Sequence, residues 1–79
     1  MIEINVEVNL SETYKNFSAI LKQARLAEGL TQQKAAAKIG ITYQAYQAYE
    51  LGKSLPSMEN FLKLCAIFDT APNDMLGIK

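Results

Sequence analysis

Apolar and polar positions alternate along the first ten residues, with Ile2, Ile4, Val6, Val8 and Leu10 against Glu3, Asn5, Glu7 and Asn9. A period of two predicts a half-buried strand. Nothing else in the chain reads as a strand, so this one has no internal partner, and a lone strand is not stable. The same strand from a second copy is its expected partner across a two-fold axis. This makes Ile2, Ile4, Val6 and Val8 the expected dimerisation residues. From Ser11 the period lengthens. Leu10, Tyr14, Phe17, Ile20, Leu21 and Ala24 recur at helical spacing, with Ser11 or Thr13 as N-cap and Gly29 as the stop. Thr31 caps a second helix that runs through Ile39, turns Ala35, Ala36 and Ile39 inward and ends at Gly40. Thr42 caps a third, from Tyr43 to about Leu51, closed by Gly52. After Pro56 and Ser57, residues Met58, Phe61, Leu62, Cys65 and Phe68 predict a fourth amphipathic helix. "TAPNDML" opens a short fifth with Pro72 in its first turn. The chain thus divides into a strand, 1–10, serving as a dimerisation ribbon, and an all-α domain of five helices, 11–79.

Within the third helix, "TYQAYQAYE" is amphipathic rather than repetitive. At ~100° per residue, Gln44 and Gln47 lie within about 60° of each other, flanked by Tyr43 and Ala48. Ala45 and Tyr49 take the opposite side, and Tyr46 is expected at the boundary with its hydroxyl at the rim. Two short helices joined by the glycine turn of "KAAAKIGITYQA" form a helix-turn-helix arrangement. Small residues such as Ala36 and Ala45 let the second helix cross the first closely.

Composition narrows the function. Eight basic and eight acidic side chains cancel, and the pI of about 6.2 is not that of a strongly basic nucleic-acid binder. Any affinity for DNA must come from local clustering, for which Lys34, Lys38 and Lys53 are the candidates. Cys65 is the single cysteine and there is no histidine, which excludes an internal disulfide and leaves no zinc site. No nucleophile–base pair and no glycine-rich phosphate loop point to an enzyme. Asp69 and Asp74 fall near helix ends, where capping or solvation explains them. No signal peptide or membrane-spanning run is evident, so a cytoplasmic protein without membrane association is expected.

The ordered set of Arg25 in "LKQARLAEGLT", Thr31 and Gln32, Ala36, Gly40 followed by Ile41, Thr42, "YELGKSLPS" and "FLKLCAIFDTAPNDML" resembles the lambda-repressor-like (Cro/Xre) helix-turn-helix family over about Phe17 to Leu76. The resemblance implies an ion pair between Arg25 and Glu50 that stabilises the fold. It implies phosphate contacts from Gln32, Thr42 and Lys53, with Lys34 adding charge, and base contacts from Tyr43, Gln44, Gln47 and Ala48 on a recognition helix over 42–51. A glutamine amide can donate to N7 and accept from N6–H of adenine in the major groove, which suits Gln44 and Gln47. The chain departs from the family at Ala35, where a leucine is usual, and at Lys34, where glutamate is frequent. Tyr46 is expected to take up the volume that Ala35 leaves.

The resulting expectation is a DNA-binding transcriptional regulator, a repressor, reading a palindromic operator in double-stranded DNA as a homodimer with no cofactor. With no sensor domain in the sequence, control is expected to act through concentration, partner binding or proteolysis. The alternative is a protein-interaction module, an antitoxin or adaptor on the same fold, favoured by the neutral charge and the apolar strand edge.

Overall fold

The computed structural model describes residues 10–78. It comprises α1 (Leu10–Ala27), α2 (Gln32–Ile39), α3 (Tyr43–Glu50), α4 (Met58–Ile67) and α5 (Pro72–Met75), with no strand among the described residues. The expected ribbon residues Ile2, Ile4, Val6 and Val8 lie outside that range. Leu10, expected to end the strand, instead opens α1. Ser11 and Thr13 consequently lie within the first turn rather than at the N-cap, a shift of the kind expected at helix ends, which sequence specifies weakly.

Thr31 and Thr42 both cap as their spacing requires. Each has an extended backbone, and each hydroxyl accepts from the backbone N–H three residues on, Lys34 and Ala45 respectively, at 3.1 Å. Ser57 does the same for Asn60 at the start of α4. All five helices end alike. A residue with positive φ follows the last turn, and its N–H and the next one donate back to carbonyls three and five residues earlier. At the close of α2, Gly40 donates to Ala37 and Ile41 to Ala36, at 3.2 and 3.1 Å. The four glycines of the sequence serve four of these ends; the fifth, after α4, is taken by Asp69 at φ 47°. Without a Cβ-free residue there, that turn holds backbone strain that glycine would not.

The core combines Phe17 and Leu21 of α1, Ala35, Ala36 and Ile39 of α2, Tyr46 and Tyr49 of α3, Leu64, Cys65 and Phe68 from α4 and its end, and Met75 of α5. Phe17 and Phe61 meet at 5.9 Å between ring centroids, and Tyr46 and Tyr49 edge-on at 6.4 Å. Burial pushes the Cys65 thiol up, consistent with an inert core position. Two expectations change. Tyr46 is not at a boundary: it is 0% exposed, hydroxyl included, because α3 is only eight residues long and is held between α1 and α2. On α4, Met58 and Leu62 stay 72% and 50% exposed while Leu64 is buried. The helix turns its 61–64–65–68 face inward and leaves 58 and 62 on the outer flank.

Gly40→Ala introduces no clash, since nothing lies within 4 Å of an added Cβ, but it places a side chain at φ +75°. It should cost about 1 kcal/mol, whereas Asp69→Gly should be stabilising by up to about 1 kcal/mol, both read by urea denaturation. Ala35 and Tyr46 are both wholly buried. An Ala35→Leu, Tyr46→Ile chain should therefore lose less stability in the same assay than the two single changes summed; simple additivity would exclude the exchange of volume.

Candidate nucleic-acid interface

Three helices converge on one carboxylate. Arg25, in the last turn of α1, donates from Nε to Glu50 Oε2 at 2.7 Å and from Nη2 to Oε1 at 3.0 Å, a bidentate pair. Its third nitrogen, Nη1, donates to the Leu30 carbonyl at 2.9 Å and so fixes the turn into α2. Gln32, the first residue of α2, donates its amide to Glu50 Oε1 at 3.1 Å. The Arg25 and Glu50 side chains are only 10% and 3% exposed. Burial pushes the Glu50 carboxyl up, but hydrogen bonding from Arg25, with Tyr46 and Gln32 beside it, outweighs this and holds it below its ordinary value. The hydrogen bond to Glu50 in turn raises Arg25, against its own desolvation.

Tyr46 borders this network. Its hydroxyl is the one buried side-chain polar atom among the described residues that makes no hydrogen bond of good geometry. Burial, and then the nearby Glu50, push it well above the usual phenol range. It therefore stays neutral, as it must beside a buried anion.

The network orients the outer surface. Arg25, Thr31, Gln32, Gln33 and Tyr43 line an open groove where the N-termini of α2 and α3 meet. Unpaired backbone N–H groups and the positive ends of both helix dipoles gather at these N-termini. Of the residues expected at phosphates, Thr42, Lys34 and Lys53 are exposed, and Gln32 is partly buried. One N–H of the Gln32 amide serves Glu50 and the other remains available. Of those expected at bases, Gln44 is exposed with no partner among the described residues. Gln47 donates to the Tyr43 hydroxyl one turn back at 3.3 Å, and Ala48 lies partly buried beside it.

Residues 31–53 carry Lys34, Lys38 and Lys53 against a single acid, Glu50, and that acid is neutralised by Arg25. The exposed part of α2 and α3 is therefore cationic although the chain is neutral. Two residues, one lining the groove and one holding α3 from behind, were not evident from sequence. Gln33 lines the groove, and its position beside Gln32 at a helix start was the available signal. Ser18 donates from Oγ to the Tyr49 carbonyl at 2.8 Å in the interior, tying α1 to the last turn of α3. A serine between Phe17 and Leu21 on an inward face marked it.

A profile of the family described as helix-turn-helix matches residues 21–75. Among curated proteins, the chain is 42% identical over 60 residues to an uncharacterized HTH-type transcriptional regulator, YqaE, of Bacillus subtilis (strain 168), covering 76% of this chain and 52% of that protein. It is 37% identical to YonR of the same organism, an SPbeta prophage-derived uncharacterized HTH-type transcriptional regulator, over 76% and 56% of the two chains. It is 35% identical to the cryptic phage CTXphi transcriptional repressor RstR of Vibrio cholerae serotype O1 (strain ATCC 39315 / El Tor Inaba N16961), over 72% and 51%. The chain spans about half the length of these relatives.

Breaking the buried pair from one side, as in Glu50→Ala, should cost about 3–5 kcal/mol and largely unfold so small a domain, as circular dichroism would register. Because the folded-state pKa of Glu50 is depressed, its contribution is complete above the unfolded carboxylate value of about 4.3. That contribution is lost as pH falls through the lower folded value. Denaturation midpoints should therefore drop on acidification below about pH 4–5, and drop less steeply in Glu50→Gln.

Proposed function

The chain belongs to the lambda-repressor-like (Cro/Xre) helix-turn-helix family, and we propose that it is a sequence-specific DNA-binding transcriptional regulator, a repressor. On this reading α3 enters the major groove of double-stranded DNA. The observation that carries it is the pairing of a cationic outer surface on α2 and α3 with a buried Glu50 that fixes both helices from inside. Gln44 and Gln47 then read base edges, with Gln47 steadied by Tyr43 and Ala48 against a thymine methyl. Gln32, Thr42, Lys34 and Lys53 hold the phosphates through side chains and the helix N-termini. Strand pairing by Ile2, Ile4, Val6 and Val8 brings two copies together as a homodimer. Two α3 helices about 34 Å apart then read a palindromic operator. Names of relatives that include a transcriptional repressor favour this reading over a protein-interaction module.

The test is selection of bound duplexes from a randomised pool, repeated with Gln44→Ala. A two-fold motif should be enriched and should relax at one base position in the variant, with a loss of about 1–3 kcal/mol at that position. Lys53→Ala should instead weaken binding to all sequences alike and reduce the slope of log affinity against log salt by about one. A folded protein that enriches no sequence would transfer the assignment to the protein-interaction module.

A further inference from the structure

The two outward glutamines of α3 are held differently. Gln44 is exposed and makes no hydrogen bond among the described residues. Gln47 is half-buried, and its Nε2 donates to the Tyr43 hydroxyl at 3.3 Å. Residues four apart are neighbours on a helix, so the tether needs no distortion of α3. Tyr43 is itself half-buried and lines the groove of Arg25, Thr31, Gln32 and Gln33, where the N-termini of α2 and α3 meet. No group among the described residues accepts the proton of its hydroxyl.

A primary amide carries two N–H donors and one carbonyl acceptor. In the major groove it can meet a purine in two ways. One N–H and the carbonyl match N7 and N6–H of adenine; two N–H groups match N7 and O6 of guanine. A free amide reaches either pattern by turning over. Gln47 is not free, because one N–H is spent on Tyr43. What remains is one donor and one acceptor, the adenine pattern. A hydroxyl both donates and accepts, so the contact between the two side chains can by itself run in either sense. A phosphate oxygen fixes the sense, since it only accepts. Once the Tyr43 proton goes to phosphate, the phenol oxygen serves Gln47 as acceptor alone, and the amide must turn an N–H toward it.

We propose that Tyr43 is a specificity-determining residue that acts through Gln47. Its O–H donates to a backbone phosphate at the groove between α2 and α3, not to a base. Its oxygen holds Gln47 with the carbonyl and one N–H facing the base, which admits adenine and refuses guanine. The assignment rests on the DNA-binding reading given above and narrows it to one base at one position. Gln44, without a tether, lies outside this control.

The test compares Tyr43→Phe with the unaltered chain on duplexes enriched from a randomised pool. Phenylalanine keeps the ring and removes only the hydroxyl, and circular dichroism verifies that the variant is folded. The base pair that Gln47 reads is the one at which Gln47→Ala loses its preference. Duplexes carrying adenine or guanine there are then compared by competition binding. The unaltered chain should favour adenine, and Tyr43→Phe should lose about tenfold of that discrimination. Preference at the base pair read by Gln44 should be unchanged. Binding to all sequences should fall roughly fivefold through the lost phosphate contact. The dependence on salt should stay the same, because the hydroxyl carries no charge. Undiminished discrimination in Tyr43→Phe, or a preference for guanine in the unaltered chain, would overturn the assignment. So would relaxation at a separate base pair, which would make Tyr43 a base reader itself, or a motif in which no position responds to Gln47→Ala. Each of these leaves the regulator reading standing. A folded chain that enriches no sequence overturns that reading and this assignment together.

Discussion

Everything on the α2–α3 side of the molecule hangs on a carboxylate that water does not reach. Glu50 is the last residue of α3, yet it binds the last turn of α1 through Arg25 and the first residue of α2 through Gln32. An unpaired charge in that position would be strongly destabilising, so the three helices can coexist only in the arrangement that satisfies it. Whatever its net energetic value, such a pair confers registry: it selects one docking of short helices that apolar packing alone would specify loosely. Arg25 extends the same control to the Leu30 carbonyl and the intervening turn. α2 and α3, at eight residues each, are too short to be stable as isolated helices and borrow their order from these contacts.

Much of the fold was legible because each boundary carried its own chemistry. Threonine three residues before a backbone donor, and glycine immediately after the last turn, identify α2 and α3 almost to the residue. The start of α1 was less legible, since Ser11 and Thr13 are plausible caps that the helix simply includes. Tyr46 lies inside rather than at a boundary because a helical wheel divides one helix into two sides, whereas α3 packs against both α1 and α2. On α4 the wheel admitted Met58 and Leu62 to the apolar side, and only the packing of Leu64 against its neighbours decides between the two flanks.

The interface was legible to a different degree. Residue types and spacing are enough to nominate Gln32, Thr42, Gln44 and Lys53, because helix N-termini and outward amides follow from where the helices begin. Relations between those residues are not in the pattern. That Gln32 leans on Glu50, and Gln47 on the Tyr43 hydroxyl, depends on how α2 and α3 are set against one another. Neutral composition concealed the cationic surface because the balancing acids lie elsewhere in the sequence: between residues 31 and 53 the one acid is Glu50, and Arg25 neutralises it.

The division of labour along α3 has an evolutionary corollary. Tyr46, Tyr49 and Glu50 are committed to the interior, so they cannot drift without unfolding the domain. Gln44 bears no structural duty and is free to vary one substitution at a time. Tyr43 and Gln47 are linked by their hydrogen bond, so a lineage acquiring a new preference there must cross a step in which one member has lost its mate. Divergence among descendants of this chain should therefore proceed first at residue 44, with residues 43 and 47 changing later and together.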